Sequence, residues 1–534
     1  MAILYAYKNR KLVTISGSSG AGTNYQVLIK VGESSGAAGC HFHVEGTSLS
    51  FPNATNNGGD LAFTAADGES LLPFFVEKVE GTSPNRVAHC WVKVTANLDT
   101  SKDIYCYWGR QNAPNLSSDT NTFIRVIDGV VGSWHLNEGS GNVAHDTSGN
   151  GNHGTLCPND VGDIEMTNCD SLTDWSGSDG VALSIDTTDK KEGTGCVKGD
   201  VSMPVIGTTY RLIFNPASPM DLGDRALTFW FKCDRDFTAF GANFIYIYDT
   251  NGNWRRYGAG FFAFSPNSWV KHSRLIASYG ETSATPPDIH SIDRIEWQLT
   301  AADTIAFTMK VDYVYASGKA EWVNGKWGMA THHSEDCKYI NVPNSTSLCP
   351  TEAISVETWV KKPIGWWGTG AVVRKGCDYF LDFDYPTRLR FGVNLQVNMG
   401  NFGYPDDGNW HHVVGTYDRV ASKRYVDATL LGSTAYTDPI NTSPNAVRIG
   451  TRDDLLESYN GYLDEVRIYN KALSADEISD LYNNYGYTTA SYPGKVLVRK
   501  RITTEPAFSS AGSAESIYFA EKTNWITERG RFGF

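Results

Sequence analysis

The chain has 534 residues, too many for one hydrophobic core, and domains of about 150 residues would give three or four. Its net charge of -13 is spread along the sequence without a basic block, which excludes nucleic acid from the expected partners. No stretch approaches the roughly 20 apolar residues of a membrane-spanning helix, so no membrane insertion is expected.

The 27 Tyr, 24 Phe, 15 Trp and 52 Gly beside 7 Met favour sheets joined by Gly/Asn/Asp turns. The expected fold class is all-β: several β-sandwich jelly rolls, one inserted in another. The ten cysteines include no CxxC pair and no Cys/His cluster with zinc-site spacing. Cys169 with Cys196, and Cys337 with Cys349, are the pairs open to disulfide formation in an oxidising compartment, with buried free thiols as the alternative. Met1 to Tyr7 is followed at once by Lys8, Arg10 and Lys11, which inverts the charge order of a secretory leader, so no signal peptide is seen. The expected location is therefore a virion surface reached by assembly, or an extracellular surface reached through a leader removed from this chain.

Residues 1–126 carry short alternating stretches, Tyr25 to Ile29, Val87 to Val92 and Ile104 to Trp108, whose spacing reads as a β-sandwich. Asp60-Leu61-Ala62-Phe63, Leu72-Pro73-Phe74-Phe75-Val76-Glu77, Trp91-Val92-Lys93-Val94 and Ile104-Tyr105-Cys106-Tyr107-Trp108-Gly109 resemble a β-domain of unknown function (DUF2341-like) found in archaeal and viral surface proteins. That resemblance implies architecture and no chemistry. Gln111 to Asn121 reads as a linker.

Residues 127–157 contain Trp134-His135-Leu136-Asn137-Glu138-Gly139 and the turn Asp146-Thr147-Ser148-Gly149-Asn150-Gly151-Asn152. Residues 319–487 continue with Ser355-Val356-Glu357-Thr358-Trp359-Val360, Trp410 to Asp418, and Gly461 to Asn470. A short final helix follows, with Ser474 and Glu477 spaced as a capping box. Together these motifs resemble a laminin-G-like, concanavalin-type jelly roll split by an insertion. The intervening residues 158–318 read as a second sandwich. There Asp189 to Gly195, the Trp269 strand and Val311-Asp312-Tyr313-Val314 resemble galactose-binding-like jelly rolls, the fold of many carbohydrate-binding modules. Residues 488–534 form a tail whose Lys495 to Arg501 stretch is β-prone. It is open between a strand added to a neighbouring domain or subunit and disorder beyond Thr504.

The laminin-G-like resemblance implies a structural calcium ion, held by Asp146 with oxygens of Asn150 and Asn152 and joined by Asp464. Such an ion wants six to eight oxygens, which an Asx/Gly turn can gather; the alternative is that Asp146 closes an Asx-turn and Asp464 caps a strand pair. In the insert the family counterparts imply Glu192 with Asp312. A sugar site needs aromatic faces flanked by hydrogen-bonding edges. Trp254, Arg255, Arg256 and Tyr257 are candidates in the insert, and Trp366 with Trp367 in the Gly-rich loop Gly365 to Gly370 are candidates in the host sandwich. The alternative for the tryptophan pair is that it pads a domain seam. Trp134, Trp230, Trp359 and Trp410 read as core residues. Adjacent strand residues face opposite ways, so neither His332-His333 nor His411-His412 makes an easy metal chelate. Asp382-Phe383-Asp384 is the nearest approach to the alternating carboxylates of concanavalin-type hydrolases and lacks their third acid.

The expected function is non-enzymatic carbohydrate binding by a lectin-like adhesion protein, a virion component such as a tail fibre, spike or capsid decoration. Its expected partners are a cell-surface glycan or polysaccharide, other virion subunits and further copies of itself. A decoration protein without glycan binding and a glycan-degrading enzyme are the alternatives.

Overall fold

The computed structural model describes residues 4–44, 51–53, 58–157, 164–222, 225–258, 264–275, 281–317, 320–333, 338–366, 369–397, 403–452 and 458–517. Strands dominate, and the α-helices among these residues are Asp119–Thr122 and Ala475–Asn483. No described helix is long and apolar enough to cross a membrane. The chain divides into two compact units, residues 1–128 with 476–534, and residues 129–475.

In the first unit a five-stranded sheet runs Ala507–Ser516, Asn9–Ser16, Lys102–Trp108, Ala62–Ala65, Leu71–Leu72, beside a four-stranded sheet of Phe42–His43, Tyr25–Gly32, Val87–Val94 and Phe74–Glu80. Period-two alternation drives this: Val13 and Ile15 from one sheet and Val27, Ile29 and Val31 from the other enter one core. The C-terminal segment belongs to this unit. Lys495–Arg499 lies between Tyr485–Tyr487 and Arg125–Asp128, and Ala507–Ser516 pairs with Asn9–Ser16. The β-prone tail is therefore a strand added to the chain's own N-terminal domain, and ordered structure extends past Thr504; the stretch 518–534 lies outside the described residues.

The second unit holds two sandwiches. In the host, Val130–Trp134 pairs with Gly461–Tyr469, placing Trp134 opposite Val466, and Gly154–Cys157 pairs with Tyr339–Val342. Strands from both sides of the insertion thus close one core around Trp134, Val356, Phe391 and Val466. Gly415 is required there, because a Cβ would stand 2.1 Å from the Phe391 ring.

The insert's two sheets are ordered Ala182–Asp186, Cys196–Val201, Phe307–Ser317, Ala226–Cys233, Val270–Leu275, and Trp175–Gly177, Thr209–Phe214, Ile292–Ala301, Phe240–Asp249, Trp254–Tyr257, Glu281–Thr282. Trp175 stacks on Trp297 in its core, centroids 5.4 Å apart. Its entry strand Ile164–Thr167 pairs with the exit end of Phe307–Ser317. Adjacent ends let a whole domain replace a surface loop at small entropic cost. Cys169, Cys196 and Cys349 are free thiols, and Cys337 lies outside the described residues.

Candidate functional site

Strict alternation along Phe240–Asp249 sends Ile245 and Ile247 into the insert core and Phe244, Tyr246 and Tyr248 to the opposite face, where they are half-buried. The turn Asp249 to Asn253 is set by the buried Asp249 carboxylate, which accepts from the backbone N–H groups of Asn251 and Asn253 at 2.9 Å each. The returning strand places Trp254 opposite Tyr248 and Arg256 opposite Tyr246. Four rings therefore share one outer face: Tyr246 lies 5.8 Å from Tyr248 and 5.3 Å from Trp254, and Phe244 lies 6.0 Å from Tyr246.

Polar edges border this strip. Arg256 donates from Nε to Glu281 at 2.8 Å and from an Nη to the Tyr246 hydroxyl at 3.0 Å, with its guanidinium 4.5 Å from the Phe244 ring centre. Across the sheet, Arg294 lies 3.8 Å from the Tyr248 ring centre and 3.0 Å from Glu296. Glu296 also accepts from Gln298 at 2.5 Å. Burial, with Glu296 beside it, raises the Tyr248 phenol, and the Tyr246 hydroxyl together with Glu281 raises Arg256 further, so Tyr248 stays neutral and Arg256 charged across the physiological range. Of the residues singled out in the sequence, Trp254 and Arg256 stand in this strip. Tyr257 does not: it lies opposite Ile245, inside the core. Phe244, Tyr246, Tyr248, Arg294 and Glu296 were missed, although aromatic residues at every second position of one strand were a visible signal.

The tryptophan pair is also corrected. Trp366 is core, 5.8 Å edge-on to Tyr459, and Gly370 makes room for it, since a Cβ there would lie 2.5 Å from its ring. Trp367 lies outside the described residues. Trp134 is fully buried in the host core. Trp359 is buried on the opposite face of its strand, with the Lys326 ammonium 4.3 Å from its ring centre, while Trp230 and Trp410 are half-buried.

Of the expected calcium ligands, Asp146 sits in its own Asx turn and Asp464 on the strand Gly461–Tyr469. Asp146 receives the backbone N–H groups of Ser133 and Ser148 on one oxygen, each at 2.9 Å, and the Ser148 hydroxyl at 2.9 Å and Asn152 N–H at 2.8 Å on the other. The amides of Asn150 and Asn152 donate to the Val131 carbonyl. Four donors fill a carboxylate's acceptor positions, so this turn does not fit a calcium ion. Asp464 accepts from Trp327 N–H at 2.9 Å on one oxygen, its other oxygen has no partner among the described residues, and burial, with Glu465 nearby, pushes its carboxyl well up. In the insert, Asp312 is fully buried and accepts from the backbone N–H groups of Lys191 and Glu192 at 2.6 and 3.0 Å. Glu192 contributes that N–H, whereas the carboxylate whose charge acts on Asp312 is Asp170. The second oxygen of Asp312 has no partner among the described residues. This buried orphan beside a second carboxylate fits a cation with carbonyl and water ligands. No three His, Cys, Asp or Glu side chains among the described residues converge as a metal cluster.

The histidine pairs split as strand geometry requires. His412 bonds Glu357 at 3.0 Å, whereas His411 bonds Asp427 at 2.7 Å and Asp407 at 3.0 Å through its two ring nitrogens. Burial opposes a charged His411, but the two aspartates outweigh it and its pKa is raised. Hydrogen bonding to His411 holds Asp407 well below the carboxylate range. A raised histidine contributes stability fully below its ordinary value near 6.5 and loses it as pH rises through the folded value. The melting temperature is therefore expected to fall by a few degrees from pH 6 to pH 9, and His411→Gln to flatten that slope, as thermal melts across this range would show. Asp382 is clamped by Arg390 at 2.7 Å, and Asp384 lies 3.3 Å from Arg390 and also pairs with Arg388.

Two family models match parts of the chain. Residues 335–479 match the concanavalin A-like lectin/glucanases superfamily. Residues 57–137 match a domain of unknown function, DUF2341. Among solved structures, the chain is similar to the binding domain of Paraclostridial Mosquitocidal Protein 1, at 12% identity and a TM-score of 0.27 over 33% of this chain and 48% of that one. Domain 4 of AbnA, a GH43 extracellular arabinanase from Geobacillus stearothermophilus, gives 22% identity and a TM-score of 0.26 over 31% of this chain and 82% of that one. The botulinum neurotoxin serotype G binding domain gives 17% identity and a TM-score of 0.25 over 31% of this chain and 46% of that one. The match spans about half the length of the toxin chains. A search of the curated proteins found no match.

Proposed function

We propose that this protein is a non-enzymatic, lectin-like recognition protein that binds a cell-surface glycan or polysaccharide through the outer face of the inserted sandwich. The observation that carries the reading is the strip of Phe244, Tyr246, Tyr248 and Trp254 bordered by Arg256, Arg294, Glu296 and Gln298. Aromatic faces take the C–H side of a pyranose ring, while guanidinium, carboxylate and amide groups take its hydroxyls. The superfamily match of the host sandwich supports it. A binding role without hydrolysis is supported by Asp382 and Asp384, because carboxylates clamped by arginines are poorly placed as a general acid and a nucleophile. We set the protein on a virion or other extracellular surface, as a homo-oligomer beside other structural subunits. Assembled particles that show no surface labelling with a specific antibody would remove that setting.

Trp254→Ala and Tyr246→Ala are each expected to weaken glycan binding about tenfold, a loss of about 1.4 kcal/mol, without unfolding the insert. A glycan array probed with the folded full chain measures this. Absence of any binder overturns the proposal.

The reading includes a structural calcium ion held by Asp312. Calcium at 100 times its dissociation constant would stabilise the insert by about 2.7 kcal/mol, worth several degrees of melting temperature. Calorimetry with calcium and then with chelator is expected to show that shift in the native chain and none in Asp312→Asn. An unchanged native transition removes the ion.

A further inference from the structure

The sheet of the insert that lies across the core from the aromatic strip carries three lysines in a row. Lys198 on Cys196–Val201 and Lys232 on Ala226–Cys233 both stand directly opposite Lys310 on the strand between them. Like charges directly opposite each other destabilise a sheet, and here Asp186, Asp189 and Asp200 offset the three ammonium groups. The three line a cavity of about 250 Å³ together with Asp186, Asp189, Asp234, Asn267 and Thr308. A cavity somewhat below the usual range of roughly 300–1,000 Å³ for ligand pockets has room for one ring and its substituents.

The hydrogen-bond inventory decides what such a ligand must present. Asp186 accepts from Lys310 at 2.8 Å, from the Thr188 backbone at 2.9 Å and hydroxyl at 2.7 Å, and from Asp189 N–H at 3.1 Å. Asp189 accepts from Lys310 at 2.6 Å, Lys232 at 2.9 Å and the Trp269 indole at 3.0 Å. Asp234 accepts from Thr308 N–H at 3.0 Å. The acceptors of Asp186 are thus filled and those of Asp189 nearly so, whereas Asp234 keeps free positions. An ammonium has three donors. Lys310 uses two of them, leaving one, while Lys232 uses one on Asp189 and Lys198 one on Asp200 at 2.9 Å, leaving two each. Lys232 and Lys198 are partly exposed, with side chains at 16% and 29%, while Lys310 between them is buried.

From these free ammonium donors we propose that the cavity is a second site, on the sheet across the core from the aromatic strip, for an oxyanion carried on a sugar, the carboxylate of a uronic acid or a sulfate ester, with Asn267 and Thr308 at the ring hydroxyls. The carrier rests on the glycan reading; the anion preference rests on the lysine row alone.

Isothermal titration of the full chain tests it with four probes: a uronic-acid trisaccharide, a sulfated trisaccharide, their neutral counterpart, and free acetate or sulfate. Acidic oligosaccharides of at least one kind are expected to bind about tenfold tighter than the neutral one. Lys232→Met and Lys198→Met should each erase that preference and leave neutral binding as in the native chain, with unchanged melting confirming the fold. Trp254→Ala should lower neutral binding and keep the preference. Neutral binding without an acidic preference, or a preference that survives both lysine substitutions, overturns the subsite and leaves the glycan reading intact. Free acetate or sulfate bound through Lys232 while no sugar binds overturns the acidic-sugar assignment together with the glycan reading.

Discussion

Deletion of residues 495–534 is expected to leave the N-terminal unit unfolded while residues 129–475 keep their two cores. Val496, Leu497 and Val498 are each fully buried, and Leu497 packs with Phe75, Trp91 and Phe123. Burying each such side chain is worth about 1.5–3 kcal/mol, so their joint loss of about 4.5–9 kcal/mol rivals the roughly 5–15 kcal/mol that keeps a domain folded. Two further losses add to it. Arg499, whose guanidinium lies 4.9 Å from the Trp91 ring centre and 5.2 Å from that of Tyr485, pairs with Glu505 at 2.6 Å. The strand Ala507–Ser516 leaves the edge of Asn9–Ser16 bare. Limited proteolysis with mass spectrometry is the measurement: fragments from 1–128 should disappear early and a fragment covering 129–475 persist. Leu497→Ala is the milder variant, expected to cost about 2–5 kcal/mol. Equal resistance of both units to protease in the truncated chain would refute this account of the C-terminal segment.

Arg467→Met is expected to destabilise the host sandwich by about 3–5 kcal/mol. Arg467 sits between two buried carboxylates, at 3.0 Å from Glu357 and paired with Glu465, with side-chain exposures of 1–2% throughout. His412 lies 3.0 Å from Glu357 and His135 2.7 Å from Glu465, and the Tyr469 hydroxyl donates to Glu357. Burial opposes ionisation of Glu357, but Arg467 outweighs it and the carboxyl is held below its ordinary value. A lowered carboxyl contributes stability above its unfolded value and loses it as pH falls through the folded one. Without the guanidinium, burial is opposed by His412 and Tyr469 alone, so the Glu357 carboxyl moves up and its contribution at high pH shrinks. The deficit of Arg467→Met should therefore be smaller at pH 5 than at pH 8. Urea unfolding at the two pH values reads this directly. Glu357→Gln in the same background should recover part of the loss, because the pair is coupled.

Much of the architecture was written in local signals. The Gly/Asn turn after Trp134, the alternation of Ser355 to Val360 and the run Gly461 to Asn470 mark strands of one jelly roll, and the structure pairs Val130–Trp134 with Gly461–Tyr469. The site was less legible. The strand Phe244 to Asp249 was recognisable, yet it is apolar on both faces, so alternation alone left open whether the isoleucines or the aromatics face water. Trp366 misled for a physical reason: a glycine-rich loop looks exposed, but here Gly370 is small so that the indole can turn inward.

The amino-acid sequence by itself determined the local choices: extended strands, Asx and glycine turns, the short helix after Leu473, and the insertion of one sandwich in another. Tertiary structure alone decided which charges meet. Asp146 is consumed by its own turn while Asp312 keeps an unpartnered oxygen, and Lys198, Lys310 and Lys232 form a row. These outcomes depend on register between strands up to about a hundred residues apart, which no local pattern encodes, because the side-chain period of two repeats identically for every even shift.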